Sequence, residues 1–264
     1  MDRISVLMGI YNCASTLVEA LESLYAQTYK DFKVILCEDG STDDTYDVAQ
    51  RYATKHDNIL LLRNENNMGL NYTLNRCLEH ADTEYIARMD GDDISLPDRF
   101  ETEIHFLDTH PEYSLVSCSM IHFDENGDYR TEIARGDVKK EDFIHGSPVN
   151  HAPCMIRTKA LKDVGGYSVD NKLLRVEDYH LWFKLFAAGH KMYMLNAPLY
   201  KMRDDRDAYN RRTFKNRLNE AYVMHIGFKM IHLPWYSQVF AMRPILVHIA
   251  PGFLYNWYHQ NKKY

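Results

Sequence analysis

Along the first ninety positions, short apolar runs alternate with stretches of helical spacing. Ile4 to Ile10 is almost continuously apolar and predicts a buried strand. Thr16-Leu17-Val18-Glu19 reads as a capping box, and Leu17, Leu21, Leu24 and Tyr25 then share one helical face. Phe32 to Cys37 predicts a second strand. Ser41 to Asp44 opens a helix carrying Tyr46, Val48, Ala49 and Tyr52, with Asp43 and Asp44 in its first turn. Ile59 to Leu62, Leu70 to Leu78 and Tyr85 to Met89 then predict strand, helix and strand. Alternation of this length implies a parallel sheet covered by helices. Right-handed crossovers bring the carboxyl ends of its strands to one edge, where a ligand would sit.

Beyond this point the pattern loosens. Pro97 precedes a helix with Arg99, Phe100, Ile104 and Leu107, and Ser114 to Met120 is strand-like. Asn126-Gly127 predicts a hairpin turn between Ile121-His122-Phe123 and Tyr129-Arg130-Thr131. Cys154 to Ile156 predicts a strand, Asp178 to Ala188 a helix closed by Gly189, and Met192 to Leu195 a last strand. Residues 1–205 therefore form one α/β domain with a mixed-topology second half.

Residues 206–264 differ. Tyr209, Phe214, Leu218, Tyr222, Ile226 and Met230 recur at near-helical spacing, and Pro234, Pro244 and Pro251 break the remainder of the tail into short pieces. Charge sharpens this division. The chain has a net charge of −6, yet residues 206–264 hold nine Lys and Arg against Asp207 and Glu220, with no acid after Glu220. A basic, aromatic, helical tail fits a segment lying on an anionic membrane surface; a helix packed on the main domain is the alternative.

Five single cysteines, none in a CxxC pair, argue against a disulfide framework or a zinc site and for a reducing compartment. The first strand begins at Ile4, leaving no room for a signal peptide, and no run of about 18 apolar residues suggests a membrane span. The expectation is a cytoplasmic protein, peripheral at the inner face of the plasma membrane.

The chemistry concentrates at predicted strand ends. Arg88-Met89-Asp90-Gly91-Asp92-Asp93 comes directly after a strand, and its three carboxylates repel one another unless a cation or donors neutralise them. Hard oxygen ligands on a loop suit Mg²⁺ or Mn²⁺ shared with phosphate oxygens. Gly91 permits close backbone approach to a ligand. A second acidic run, Glu38-Asp39-Gly40-Ser41-Thr42-Asp43, ends the second strand on the same edge, where Asp39 can accept a hydrogen bond from a base or ribose. Tyr11 follows the first strand on that edge and either packs on a base or belongs to the core. Glu177-Asp178 opens a later helix; it is either an ordinary N-terminal acid pair or a general base for an acceptor hydroxyl.

In this order and spacing, these segments resemble the family 2 glycosyltransferases of GT-A fold. The resemblance also includes Ser5 to Asn12, Asn66 to Leu70, Arg88 to Pro97 and Val164-Gly165-Gly166-Tyr167, and spans nearly all of 1–203. Tyr200 to Asp205 and the basic tail are similar to the bacterial exopolysaccharide and capsule members, amylovoran-type and EpsE-like. The resemblance implies a Rossmann-like mixed sheet and an inverting, metal-dependent transfer of one sugar, with a uridine donor and a lipid-linked saccharide acceptor. It further implies that Tyr11 and Asp39 hold the base, Arg88 the donor, Asp90 the ribose and metal, and that Asp92 is the direct metal ligand. Asp178 matches the base, and His151 falls where the family lines its pocket. Two departures stand out. The tail lacks the QxxRW motif of processive members, and Gly91 sits where Ala or Ser is usual.

Three rivals are weighed against this. Gly9-Ile10-Tyr11-Asn12-Cys13 is not the GxGxxG of a dinucleotide oxidoreductase, and no Walker motif is present. A sugar-phosphate nucleotidyltransferase would want a Gly-rich basic loop after the first strand. A catalytically inactive binding module stays open. Nothing points to a nucleic-acid partner.

Overall fold

A computed structural model describes residues 2–134, 136–204 and 213–249. Tyr209, Pro251 and the 205/206 boundary predicted between domain and tail lie outside these residues.

The first half conforms to the pattern. Strand β1 (Ile4–Ile10) is flanked by β2 (Phe32–Glu38) and β4 (Tyr85–Arg88), and β3 (Ile59–Arg63) lies beyond β2; all pair in parallel. The crossovers are α1 (Leu17–Tyr25), α2 (Thr45–Lys55) and α3 (Leu70–Glu79). Both faces of the central strands are buried. Leu7 and Ile35 face a core shared with α3, while Val6, Met8, Val34 and Leu36 face one shared with α1 and α2. Such strands carry apolar residues on both faces, which is why Ile4–Ile10 reads as a run rather than an alternation.

The second half turns the sheet mixed. After the two-residue β5 (Ile94–Ser95) and α4 (Arg99–Thr109) come β6 (Tyr113–Asp124), β7 (Gly127–Glu132) and β8 (Gly136–Asp137). Strand β9 (Met155–Arg157), helices α5 (Thr158–Asp163) and α6 (Glu177–Ala187), and β10 (Lys191–Arg203) complete it. The sheet order is β3-β2-β1-β4-β9-β6-β10-β5, with β7 paired to β6 and β8 to β10. Strand β9 is antiparallel to both β4 and β6 and so joins the two halves.

Several local expectations are corrected. Thr16 does precede α1, but its side chain makes no cap hydrogen bond; Oγ1 donates instead to the carbonyls of Gly91 (3.0 Å) and Cys13 (3.2 Å). Asp43 and Asp44 lie before α2 rather than in its first turn, and Asp43 accepts from Thr45 N and from Ala14 N. The two runs from Ser114 to Phe123 are one strand, which turns at Asn126-Gly127 into β7 as predicted. The last strand extends eight residues past Leu195, because register shifts on either side of Pro198 let β10 continue along β6. Proline donates no ladder hydrogen bond, and irregular pairing accommodates it.

Helix α7 (Phe214–Met230) packs on the main domain. Val223, Met224 and Phe228 are buried in the core with Trp182 and Phe183 of α6. Gly227 makes this approach feasible, since a Cβ there would overlap the Phe183 ring. A 3₁₀ run, Trp235–Met242, and α8 (Arg243–Ile249) come next. Among the described residues no helix is long and apolar enough to cross a membrane.

Candidate active site

The carboxyl edge of β1, β2 and β4 carries the predicted residues, and the turn after β4 is its centre. A cleft of about 310 Å³ opens there, lined by Tyr11, Asn12, Cys13, Asp90, Asp92 and Arg203 among others. Tyr11 is 45% exposed and free to meet a planar ligand. Carboxylate oxygens of Asp90, Asp92 and Asp93 all lie within 4.8 Å of one another. Asp92 is exposed at the surface, Asp90 half-buried, and Asp93 buried.

The electrostatics are those of a site short of positive charge. The protein walls that exclude water from one side of Asp92, and then the neighbouring Asp90, push its carboxyl up. Asp93 is pushed well up by burial, then by Asp90 and Asp92. Its Oδ1 accepts from Arg203 N at 2.7 Å, whereas the buried Oδ2 has no hydrogen-bond partner. An orphaned buried carboxylate oxygen facing two other carboxylates fits a hard divalent cation, as the oxygen-only donor set does.

Arg88, at the end of β4 and 3% exposed, forms an ion pair with Asp90. Burial opposes its charge, but the Asp90 carboxylate outweighs this and raises it. Around this pair the backbone is pinned. Asp90 N donates to the buried Tyr200 hydroxyl (3.3 Å), and Arg99 Nη2 donates to the Arg88 carbonyl (2.9 Å).

Gly91 is tightly placed for a reason its position in the motif does not reveal. A Cβ there would lie 2.8 Å from Cys13 Sγ and 2.9 Å from Ile10 Cγ2. The loop after β1 packs directly on the acidic turn.

Asp39 is not on the cleft wall. It is 4% exposed; Oδ1 accepts from Asn64 Nδ2 (2.7 Å) and Met68 N (2.9 Å), and Oδ2 from Gly69 N (2.9 Å). It thus shapes the 64–69 loop that leads into α3.

Asp178 lies in the first turn of α6, where Ser147 Oγ donates to its Oδ2 at 3.2 Å. Burial pushes its carboxyl up, and donated bonds and the Arg88 charge only partly counter this. Glu177 is raised by burial and by Asp178. The Arg88 charge acts on both acidic groups, countering in part the rise at Asp92 and at Asp178. His151 bonds Tyr167 Oη (2.7 Å) and meets Trp182 edge to face; burial, then Arg88, holds its pKa well below the usual histidine range.

Two residues join the site that sequence reasoning did not assign to it. Asp93 stands inside the acidic run, and its burial is what separates it from a bystander. Arg203 closes the cleft from the far end of β10: Nε donates to the Asp92 carbonyl (2.9 Å) and Nη2 to Glu19 (2.5 Å). Its clue is an arginine ending an apolar strand, which only the long β10 brings beside Asp92.

A covered mixed sheet with an acidic turn after its fourth strand fits a glycosyltransferase of GT-A fold. The chain belongs to glycosyl transferase family 2, whose model matches residues 5–165. It is 37% identical over 261 residues to the putative glycosyltransferase EpsE of Bacillus subtilis, covering 98% of this chain and 94% of that one. It is 33% identical over 216 residues to the amylovoran biosynthesis glycosyltransferase AmsE of Erwinia amylovora, covering 79% of each. The Escherichia coli UDP-Glc:alpha-D-GlcNAc-diphosphoundecaprenol beta-1,3-glucosyltransferase WfaP is 27% identical over 233 residues, 88% of this chain and 90% of that one. Among solved structures, S. aureus TarS 1-349 in complex with UDP-GlcNAc superposes with a TM-score of 0.72 at 19% identity, covering 95% of this chain and 74% of that one. The expected fold and enzyme class are thereby borne out, and the oxidoreductase and nucleotidyltransferase readings fall away.

Proposed function

We propose that the chain moves one sugar from a UDP-sugar to a lipid-linked saccharide, with inversion, in exopolysaccharide, capsule or O-antigen synthesis. The observation that carries this is the cleft where Tyr11 and Arg203 meet the Asp90, Asp92 and Asp93 carboxylates, a cluster that Arg88 neutralises only in part. The relatives support the substrate classes: TarS was solved with UDP-GlcNAc, and WfaP's name gives a UDP-glucose donor and a diphosphoundecaprenol acceptor.

Tyr11 stacks on the uracil. Asp39 Oδ2, with Gly69 N as a partner, keeps acceptor capacity for a base or ribose donor, since a carboxylate offers about four acceptor sites. Asp92 and Asp90, with Asp93 behind them, hold Mn²⁺ or Mg²⁺, which when bound supplies positive charge against the donor diphosphate. Arg88 and Arg203 add fixed positive charge around the acidic turn. Asp178 takes the proton of the acceptor hydroxyl as its oxygen bonds to the anomeric carbon. The bond from that carbon to the diphosphate breaks on the opposite face, and UDP leaves. The raised carboxyl of Asp178 makes it a stronger base than an exposed aspartate. The lipid-linked acceptor brings the enzyme to the inner face of the plasma membrane as a peripheral protein.

The test is UDP release with a panel of UDP-sugars and a polyprenyl-diphosphate saccharide, with the product anomer read by NMR. Asp178→Asn should lower kcat by about 10²–10⁴ while UDP still raises the melting temperature. A retained anomeric configuration would overturn the mechanism. Silence of the wild-type protein with every donor, despite UDP binding, would favour an inactive binding module.

A further inference from the structure

The 3₁₀ run Trp235–Met242 and helix α8 have two unlike faces. Inward, Ser237 and Ala241 are buried, with Ala241 in the main core. Outward, Trp235 is 85% exposed, Val239 70% and Leu246 61%, and Tyr236, Phe240 and Met242 are exposed with them. Solvated loops rarely gather so many large apolar side chains on one side; such a patch marks an interaction surface.

We propose that this outer face is a docking surface for an anionic phospholipid bilayer. Charge selects the occupant. From Ala221 to the end of the chain there is no Asp or Glu, while Lys229 and Arg243 are exposed beside the apolar face. A second copy of the chain meeting this face about a twofold axis would bring like charges together with no acid from the same segment to answer them. Anionic headgroups answer them directly. Trp235 and Tyr236 carry the amphipathic rings that settle at the headgroup level. Among the described residues no helix is long and apolar enough to cross a membrane, and an outer face of this kind suits the bilayer interface.

The surface is tied to the acceptor side of the proposed site. Arg243 Nη1 donates to the His145 carbonyl (3.3 Å), and Lys140 Nζ donates to the His232 carbonyl (2.5 Å). Two residues beyond His145, Ser147 bonds the Asp178 carboxylate. Docking on a bilayer therefore anchors the same 140–147 segment that holds the proposed base, where a lipid-linked hydroxyl must arrive. This last step rests on the acceptor reading above; the docking surface itself does not.

The test uses the full chain and two vesicle types, phosphatidylglycerol with phosphatidylcholine and phosphatidylcholine alone. Wild-type protein should co-sediment with the anionic vesicles, less with the neutral ones, and less as salt rises. Trp235→Ser/Val239→Ser/Leu246→Ser should lower partitioning by about tenfold or more, and Val239→Ser alone by less, because the buried apolar area supplies the attraction. The melting-temperature rise with UDP should be the same in variant and wild type, showing that the fold and donor cleft are intact. Unchanged partitioning of the triple variant would overturn the proposal. So would a wild-type dimer that the triple variant splits while vesicle binding persists, since the face would then be a self-association surface. Absence of any UDP effect in either protein would count against the donor reading and leave the vesicle result standing.

Discussion

Two acidic runs end the parallel strands on either side of β1, and their sequences are alike: Glu38-Asp39-Gly40 at the end of β2 and Asp90-Gly91-Asp92-Asp93 after β4. Their environments are opposite. In the first, the protein supplies the donors. Glu38 accepts from Arg63 and Ser41 N, Asp39 from Asn64, Met68 N and Gly69 N, and Asp43 from Thr45 and Ala14 N. In the second, carboxylates crowd within 4.8 Å, Asp92 and Asp93 are pushed up, and a buried oxygen of Asp93 is left without a partner. The first run builds a loop. The second holds negative charge that the protein answers only in part, at a cleft, whereas Asp39 has only spare acceptor capacity beyond the bonds the protein gives it.

The sharpest way to break this comparison is to remove one acid from each run. Asp92→Ala should lower kcat by roughly 10²–10³, the usual cost of losing one electrostatic stabiliser of a transition state. It should leave the melting temperature of the metal-free protein unchanged or raised, because a repulsion goes with it. Mn²⁺ should stabilise the wild type and not this variant. A stability loss in Asp92→Ala without metal would mean that its carboxylate serves the fold.

Asp39→Ala should do the reverse in kind. It strands Met68 N, Gly69 N and the Asn64 amide, so denaturant unfolding should show a loss of roughly 2–4 kcal/mol. A fully stable Asp39→Ala would mean that these donated bonds do not hold the loop.

Gly91→Ala probes how tightly the second turn is set. With Cys13 Sγ 2.8 Å and Ile10 Cγ2 2.9 Å from the new methyl, it should cost about 1–3 kcal/mol. Cys13→Ala in the same chain should recover part of this, and the coupling should appear in a double-mutant cycle. Additive losses would mean that the turn moves rather than clashes.

The smallest effect concerns pH. Desolvation raises the Asp43 carboxyl, but the hydrogen bonds it accepts from Thr45 and Ala14 together outweigh this and hold it below the usual range. A depressed folded pKa gives stability that is present above the unfolded value of about 3.9 and lost as pH falls through the folded one. Asp43→Asn should lower stability at neutral pH, where the depressed carboxyl contributes, and flatten the loss of stability as pH falls through that window. An unchanged acid limb would show that Asp43 is not held this way.

Much of the first half is legible because periodicity and burial agree there. Ile4–Ile10, Phe32–Cys37 and Tyr85–Met89 are apolar on both faces because helices cover both faces, and only a parallel sheet of this kind produces such runs. The Asn126-Gly127 turn is equally readable, since its chemistry is local. The helix closed by Gly189 is as well. The features that escape such reading are long-range. Pro198 hides the continuation of β10, whose irregular pairing with β6 depends on a partner some eighty residues away. The Thr16 hydroxyl has the position of a cap, yet the Gly91 carbonyl draws it away.

The sequence alone thus determined the order of strands and helices in the first half, the edge at which ligand groups collect, and the composition of the basic tail, because each is written in spacing or in local chemistry. Tertiary structure decided the rest. It alone separates Asp39 from Asp92, since the donors that satisfy the former come from residues 64–69 and those lacking at the latter cannot be inferred from a motif. It carries Arg203 to Asp92 along a strand that the apolar pattern cuts short. It also divides the tail, burying Val223, Met224 and Phe228 against the core while leaving Trp235, Val239 and Leu246 outward. Hydrogen-bond satisfaction and burial belong to neighbours in space, and distant segments of the chain supply those neighbours.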